Sequence, residues 1–252
     1  MQVVGYETTP GEGPAALRVA DAGEVDRVSL EAGDELAYTL GDRHCAGVDR
    51  GSDGHQPCQR PDAPYCREHT STWPCARCTG NCAMPLDSCH EEHAVYLAAF
   101  APDTFKVGVT RSWRLDTRLR EQGADRAAHV RTVEDGRRAR RIEAGIADRI
   151  PDRVRVPTKL RGFADAVDGE AWRALVDDFE PIEEFAFDYG VDVDSRPVAE
   201  TMLTGTVRGT KGRVLLLDRL GTTYGVDMRD LVGHRLTEGA DDRDVQSSLG
   251  AF

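Results

Sequence analysis

Seven cysteines lie between Cys45 and Cys89, and the chain has no others. That density fixes how the segment can fold. An odd count argues against a closed disulfide framework. Cys75-x2-Cys78 is a chelating turn that brings two thiolates to one tetrahedral ion, and Cys82 and Cys89 follow close enough to complete a four-sulfur site. Cys66-x2-His69 repeats the spacing with a histidine, and Cys45 and Cys58 complete a three-cysteine, one-histidine site. Two structural zinc ions are therefore the expected cofactor. His44, His90 and His93 lie near enough to replace one of these ligands, and a single ion with spare buried thiols is the alternative. A lone CxxC can be a redox pair, but no βαβ thioredoxin pattern surrounds this one. The loops Gly51-Ser52-Asp53-Gly54 and Pro61-Asp62-Ala63-Pro64 bury little apolar surface, so metal would supply much of the module's folding free energy. Filled ligand shells leave no open coordination position, which makes zinc a scaffold here.

The N-terminus, Met1-Gln2-Val3-Val4-Gly5-Tyr6, lacks the basic-then-apolar layout of a signal peptide. No apolar run approaches the roughly 20 residues of a membrane helix. The expectation is a cytoplasmic protein with no membrane partner. Acids outnumber bases 44 to 32, for a net charge of −12, and lysine occurs only as Lys106, Lys159 and Lys211. This balance suits a halophilic protein kept soluble in concentrated salt; a preference for basic partners is the rival reading. The charge is uneven. From Lys106 to Arg161 there are 16 Lys and Arg against 8 Asp and Glu, a basic segment inside an acidic chain. Such a segment suggests an anionic partner, although ion pairs along solvated helices explain part of it.

Hydrophobic periodicity indicates an α+β chain. Residues 1–43 read as a β-rich N-terminal region, with short strands at Val3–Tyr6, Ala16–Val19 and Leu36–Leu40. The zinc module spans 44–93. In 94–162, strands are expected at Ala94–Phe100, Phe105–Val109 and His129–Val133. Helices are expected at Ser112–Gln122, capped by Gly123, and at Gly136–Arg149, with Ile142, Ile146 and Ile150 on one face. Beyond Pro151 a basic connector leads to Lys159 and Arg161. Residues 163–252 hold a helix at Gly169–Asp178 and then a β-rich C-terminal region, with Gly205, Gly209, Gly212 and Gly221 as turn signals. Residues after Gly239 read as frayed.

The order strand, strand, helix, strand, helix, carrying Tyr96, Lys106-Val107-Gly108, Arg118 and Glu143, resembles the GIY-YIG nuclease superfamily. Ala94-Val95-Tyr96 stands at Gly-Ile-Tyr, and Lys106-Val107-Gly108 with Thr110 at Tyr-Ile-Gly-x-Thr. Lysine at the second tyrosine resembles the phage-type branch. No histidine follows in the first helix, and His129 is only a loose candidate for that partner. The whole chain also resembles an uncharacterised group, domain-of-unknown-function family 2797, through the zinc cysteines, Val95-Tyr96-Leu97-Ala98, Lys106-Val107-Gly108-Val109-Thr110-Arg111, Glu121-Gln122-Gly123-Ala124 and Gly209-Thr210-Lys211-Gly212. The first resemblance implies a small three-stranded sheet with helices and a nuclease that cleaves phosphodiesters with Mg²⁺. It makes Glu143 the Mg²⁺ ligand, Arg118 a fork onto a phosphate oxygen, and Tyr96 the residue that orients or deprotonates the attacking water. Lys106 would add charge, and serves as a base only if its pKa is strongly lowered.

Each of these residues also has a structural reading. Tyr96 can be a core residue, Arg118 can pair with Glu121, and Glu143 with Arg140 or Arg141. Arg111, Arg114, Arg137 and Arg138 are candidate nucleic-acid contacts or plain surface charge. Trp73 and Trp113 could stack on bases or pack. The readings that follow are a nucleic-acid-acting nuclease, a noncatalytic DNA- or RNA-binding module, and a zinc-stapled scaffold for protein partners.

Overall fold

The computed structural model describes residues 1–8, 14–51, 54–70, 78–82 and 87–243. The first strands are β1 (Gln2–Glu7), β2 (Ala16–Asp21), β3 (Glu24–Ser29), β4 (Glu35–Arg43), β5 (Val48–Asp49) and β6 (His55–Gln56). Then come β7 (His93–Phe100), β8 (Thr104–Arg111), α1 (Leu115–Gln122), β9 (Arg126–Val133) and α2 (Gly136–Ala147). α3 (Val156–Arg161), α4 (Gly169–Asp177), β10 (Glu183–Ala186) and β11 (Val198–Ala199) follow. β12 (Leu203–Lys211), β13 (Val214–Arg219), β14 (Thr222–Asp227), α5 (Met228–Leu231) and β15 (His234–Glu238) end the series. This is an α+β chain. None of the described helices is long and apolar enough to cross a membrane. The chain forms two compact units, Met1–Ser71 joined by Tyr189–Phe252, and Thr72–Asp188.

In the first unit both ends of the chain enter one nine-stranded sheet, ordered β11-β14-β13-β12-β4-β15-β1-β2-β3. Its core takes Val3, Leu17 and Leu36 from the N-terminal strands and Leu203, Leu215, Tyr224 and Leu236 from the C-terminal ones. Burying each such side chain contributes about 1.5–3 kcal/mol before entropy is counted. Strand β3 carries few apolar residues because it is an exposed edge, and its hairpin with β2 turns on Ala22 and Gly23, both at positive φ. Two consecutive positive-φ residues make the turn whose twist matches the strands. Gly205 and Gly209 are not turns as their spacing suggests: both lie inside β12, at φ 139° and 143°. A Cβ on Gly205 would collide with the Asp218 carbonyl, so the close approach of β13 requires glycine there.

The second unit holds a sheet ordered β10-β9-β7-β8, all antiparallel. It has four strands where the sequence indicates three, because Glu183–Ala186 pairs with β9 at its outer edge. Strand β7 is buried along almost its whole length, which is why it reads as a continuous apolar run. Val95, Leu97 and Ala99 pack with Ala139 of α2 and with Trp172 and Val176 of α4. Ala94, Tyr96, Ala98 and Phe100 face the other way, with Leu115 and Leu119 of α1. Gly123 ends α1 in the left-handed conformation. Asp135 caps α2 by accepting from the Arg137 and Arg138 N–H groups. The stretch from Pro151 is not simply a connector: Pro157 stands in the first turn of α3, where its missing N–H costs nothing.

Candidate metal centre and candidate active site

The first unit gathers Cys45, Cys58, Cys66 and His69, whose ligand atoms all lie within 4.8 Å of one another. Cys45 follows directly on β4 and its neighbour His44, whose backbone N–H bonds the Gly233 carbonyl. Cys66 and His69 share one helical turn, closed by the His69 and Thr70 N–H groups onto the Cys66 carbonyl at 3.0 and 2.7 Å. His69 Nδ1 lies 3.3 Å from Cys45 Sγ and 3.4 Å from Cys66 Sγ, and the Cys58 and Cys66 sulfurs are 4.0 Å apart. A tetrahedral Zn²⁺ at ordinary bond lengths needs ligand separations of about 3.5–3.8 Å, so the four side chains can hold one metal ion. The Gly47 and Cys66 N–H groups donate to Cys45 Sγ at 3.4 and 3.2 Å, as suits a thiolate. Burial pushes the Cys45 thiol up. At Cys66 burial acts the same way, but N–H groups of His69 and Glu68 bring the thiol below its ordinary range. His44 is outside the cluster, its Nδ1 being 2.8 Å from the Cys58 carbonyl.

Of the second expected zinc set, Cys75 lies outside the described residues, as does Trp73. Cys78, Cys82 and Cys89 fall in the second unit, where the Gly80 N–H donates to Cys78 Sγ at 3.3 Å and Cys89 is buried. They are not assembled into a ligand group among the described residues.

In the second unit the register sets Tyr96 of β7 opposite Gly108 of β8, and Ala98 opposite Lys106. Period-2 alternation puts Tyr96, Lys106 and Gly108 on the face toward α1. A Cβ on Gly108 would sit 2.5 Å from the Tyr96 ring and hydroxyl, so glycine makes room for the phenol. Gln122 joins the pair: its Nε2 donates to Tyr96 Oη at 2.7 Å, and Lys106 Nζ donates to its Oε1 at 2.8 Å. Burial, followed by the Arg118 charge, lowers the Lys106 pKa to about 8, against the opposing pull of Glu143 and Asp152. Burial raises the Tyr96 pKa, although Arg118 and Gln122 oppose it. Burial also works against the Arg118 charge, but Tyr96 and Glu121 outweigh it and hold this guanidinium above its ordinary pKa.

Tyr96, Lys106, Arg118 and Glu143 thus fall in one electrostatic neighbourhood, and for Tyr96, Arg118 and Glu143 the structure also supplies the structural role that the sequence offers as the alternative. Tyr96 is only 1% exposed. Arg118 bonds Glu121 at 3.0 Å, and the buried Glu143 accepts from Arg140 at 2.7 Å. The His129 ring is taken by the Arg131 carbonyl at 2.9 Å and the Thr132 hydroxyl at 3.1 Å. Arg111 bonds Glu91, Arg114 bonds Glu121, and Arg137 reaches the Gly80 carbonyl at 3.5 Å. Arg138 is exposed. Gln122 is the residue that sequence reasoning misses. Its signal is the i, i+4 spacing from Arg118, which puts both on one side of α1.

The model of the family described as protein of unknown function, DUF2797, matches residues 33–236, and the chain belongs to that family. No curated protein and no solved structure matches it.

Proposed function

We propose that this DUF2797 member is a zinc-stabilised, nucleic-acid-acting protein whose second unit is a phosphodiester-cleaving nuclease of GIY-YIG type. The observation that carries the reading is the Lys106–Gln122–Tyr96 chain of hydrogen bonds, lying in the shared field of Arg118 and Glu143. Hydrolysis of a phosphodiester needs an activated water and positive charge against the developing phosphorane. With a pKa of about 8, Lys106 is partly neutral near that pH and can accept a proton from water. Tyr96 has a raised pKa and stays protonated, so it orients Gln122 and Lys106 rather than acting as a base. In this reading Arg118 exchanges its pairing with Glu121 for a phosphate oxygen. Glu143 has one oxygen on Arg140, and a hydrated Mg²⁺ needs a single carboxylate, so its other oxygen fits that role. When bound there, Mg²⁺ supplies positive charge at the phosphate.

For the Cys45, Cys58, Cys66 and His69 group we propose zinc, and a second zinc at Cys75, Cys78, Cys82 and Cys89. The donor set of thiolates with one imidazole supports zinc over oxygen-seeking ions. Neither site is catalytic in this reading.

The part-buried Arg140–Glu143 pair favours a second reading, a noncatalytic nucleic-acid-binding module, because a carboxylate already paired with a guanidinium gives up that partner's charge on turning to a metal. Retention of a labelled DNA and RNA pool by the purified chain in concentrated KCl tests what both readings share, and no retention contradicts both. Magnesium-dependent cutting supports the first. Binding without cutting supports the second.

A further inference from the structure

Trp113 stands in the short turn Ser112–Arg114 that leads into α1, with 70% of its surface exposed. The ring is held in place. Its Nε1–H donates to Glu91 at 3.1 Å, and the Arg111 and Arg114 guanidinium groups lie 4.9 and 5.9 Å from its ring centroid. Both arginines are themselves anchored, Arg111 on Glu91 at 3.2 Å and Arg114 on Glu121 at 2.7 Å. Glu121 also holds Arg118, so a continuous line of contacts joins the indole to the Tyr96 cluster. A large aromatic group kept rigid in water, by groups that leave most of it uncovered, is prepared for an apolar face to land on it.

Resting on the nucleic-acid reading above, we infer that Trp113 is a stacking platform for an unpaired nucleobase, and that the substrate class is single-stranded or looped nucleic acid. A base inside a duplex has both faces covered by its neighbours and offers nothing for an indole to stack on; an unpaired base offers a free face. The surrounding charges select the same class. Arg111, Arg114 and Arg118 are set against Glu91 and Glu121, so the patch has little net charge and grips weakly through phosphates alone. Phosphate contacts fade as salt rises. Stacking is far less sensitive, which matches the acidic, lysine-poor composition of the chain. The fixed arginines supply the local polarity that a phosphate needs beside a stacked base.

The test titrates the full chain in Mg²⁺-free concentrated KCl with a labelled single strand, DNA and RNA in turn. The same strand with an abasic position and the matching blunt duplex are titrated alongside, by anisotropy and intrinsic tryptophan fluorescence. The expected result is fluorescence quenching by the single strand and a loss of its affinity by about 5- to 100-fold in Trp113→Leu. Trp113→Phe should recover most of that loss, the abasic strand should erase the difference between wild type and Trp113→Leu, and duplex affinity should not change. Equal single-strand affinity in wild type and Trp113→Leu, while nucleic acid is still bound, overturns this inference alone. Equal weakening on single strand and duplex also overturns it, since that marks a general contact. Absence of binding to any of the three ligands overturns the nucleic-acid reading, and this inference with it.

Discussion

Lys106 offers a thermodynamic test that needs no substrate. Its pKa falls from 10.5 to about 8 on folding, first through burial and then through Arg118. The folded state therefore binds fewer protons than the unfolded state between those values. Stability contributed by this group is full above about pH 10.5 and is lost as pH falls to about 8. Below that window the ammonium is a cost of folding. A shift of this size corresponds to about 3 kcal/mol at most, and water reaching a part-buried amine cuts it to roughly 1–2 kcal/mol. Lys106→Met keeps the stem and removes the charge. Urea unfolding at pH 7 should show the variant more stable than wild type by ~1–2 kcal/mol, with the gap closing as pH approaches 10. Other groups titrate over this range in both proteins and cancel in the comparison. Because the variant also loses the hydrogen bond to Gln122, the pH dependence decides: a stability difference that does not change between pH 7 and 10 would refute the claim that this lysine is desolvated.

Three further outcomes follow from particular contacts. Gly108→Ala forces a Cβ against the Tyr96 ring and should destabilise the chain by about 1–3 kcal/mol, seen as a lower melting temperature; an unchanged melt contradicts the packing. Cys66→Ser removes one ligand of the Cys45, Cys58, Cys66 and His69 group, so elemental analysis should show the loss of one metal ion per chain. Its melting temperature should fall as well, since structural zinc contributes about 10–16 kcal/mol in small peptides; unchanged metal content would show that the group is not a site. If Lys106 is the base, the cleavage rate at saturating Mg²⁺ should rise through pH of about 8, and a flat profile from pH 7 to 9 would remove that role.

Legibility in the sequence depended on how local each signal was. Strands β7, β8 and β9 and helices α1 and α2 were readable because their apolar positions repeat at strand or helix period and because Gly123 marks the end of α1. The Cys45, Cys58, Cys66 and His69 group was readable because sulfur and imidazole at short spacing have few other uses. Strand β3 was not, since an edge strand with polar faces has no periodic contrast. The short strand β10 gains its identity only from pairing with β9. The single sheet made from both chain ends is a matter of long-range pairing, such as Leu203 with Tyr38, on which local pattern is silent. Gln122 was missed for a related reason: an exposed-looking amide becomes important only when the register brings Tyr96 and Lys106 to its two ends.

The claim that matters most is that the second unit cuts phosphodiesters through Glu143. Cleavage of a labelled DNA and RNA pool in concentrated KCl, with Mg²⁺ present or withheld, by wild type and Glu143→Gln tests it directly. The account predicts Mg²⁺-dependent cutting by wild type and none by Glu143→Gln, with binding nearly unchanged because the substitution keeps the size and hydrogen-bonding capacity of the side chain. Equal cutting by both proteins, or retained binding with no cutting by either, would contradict it.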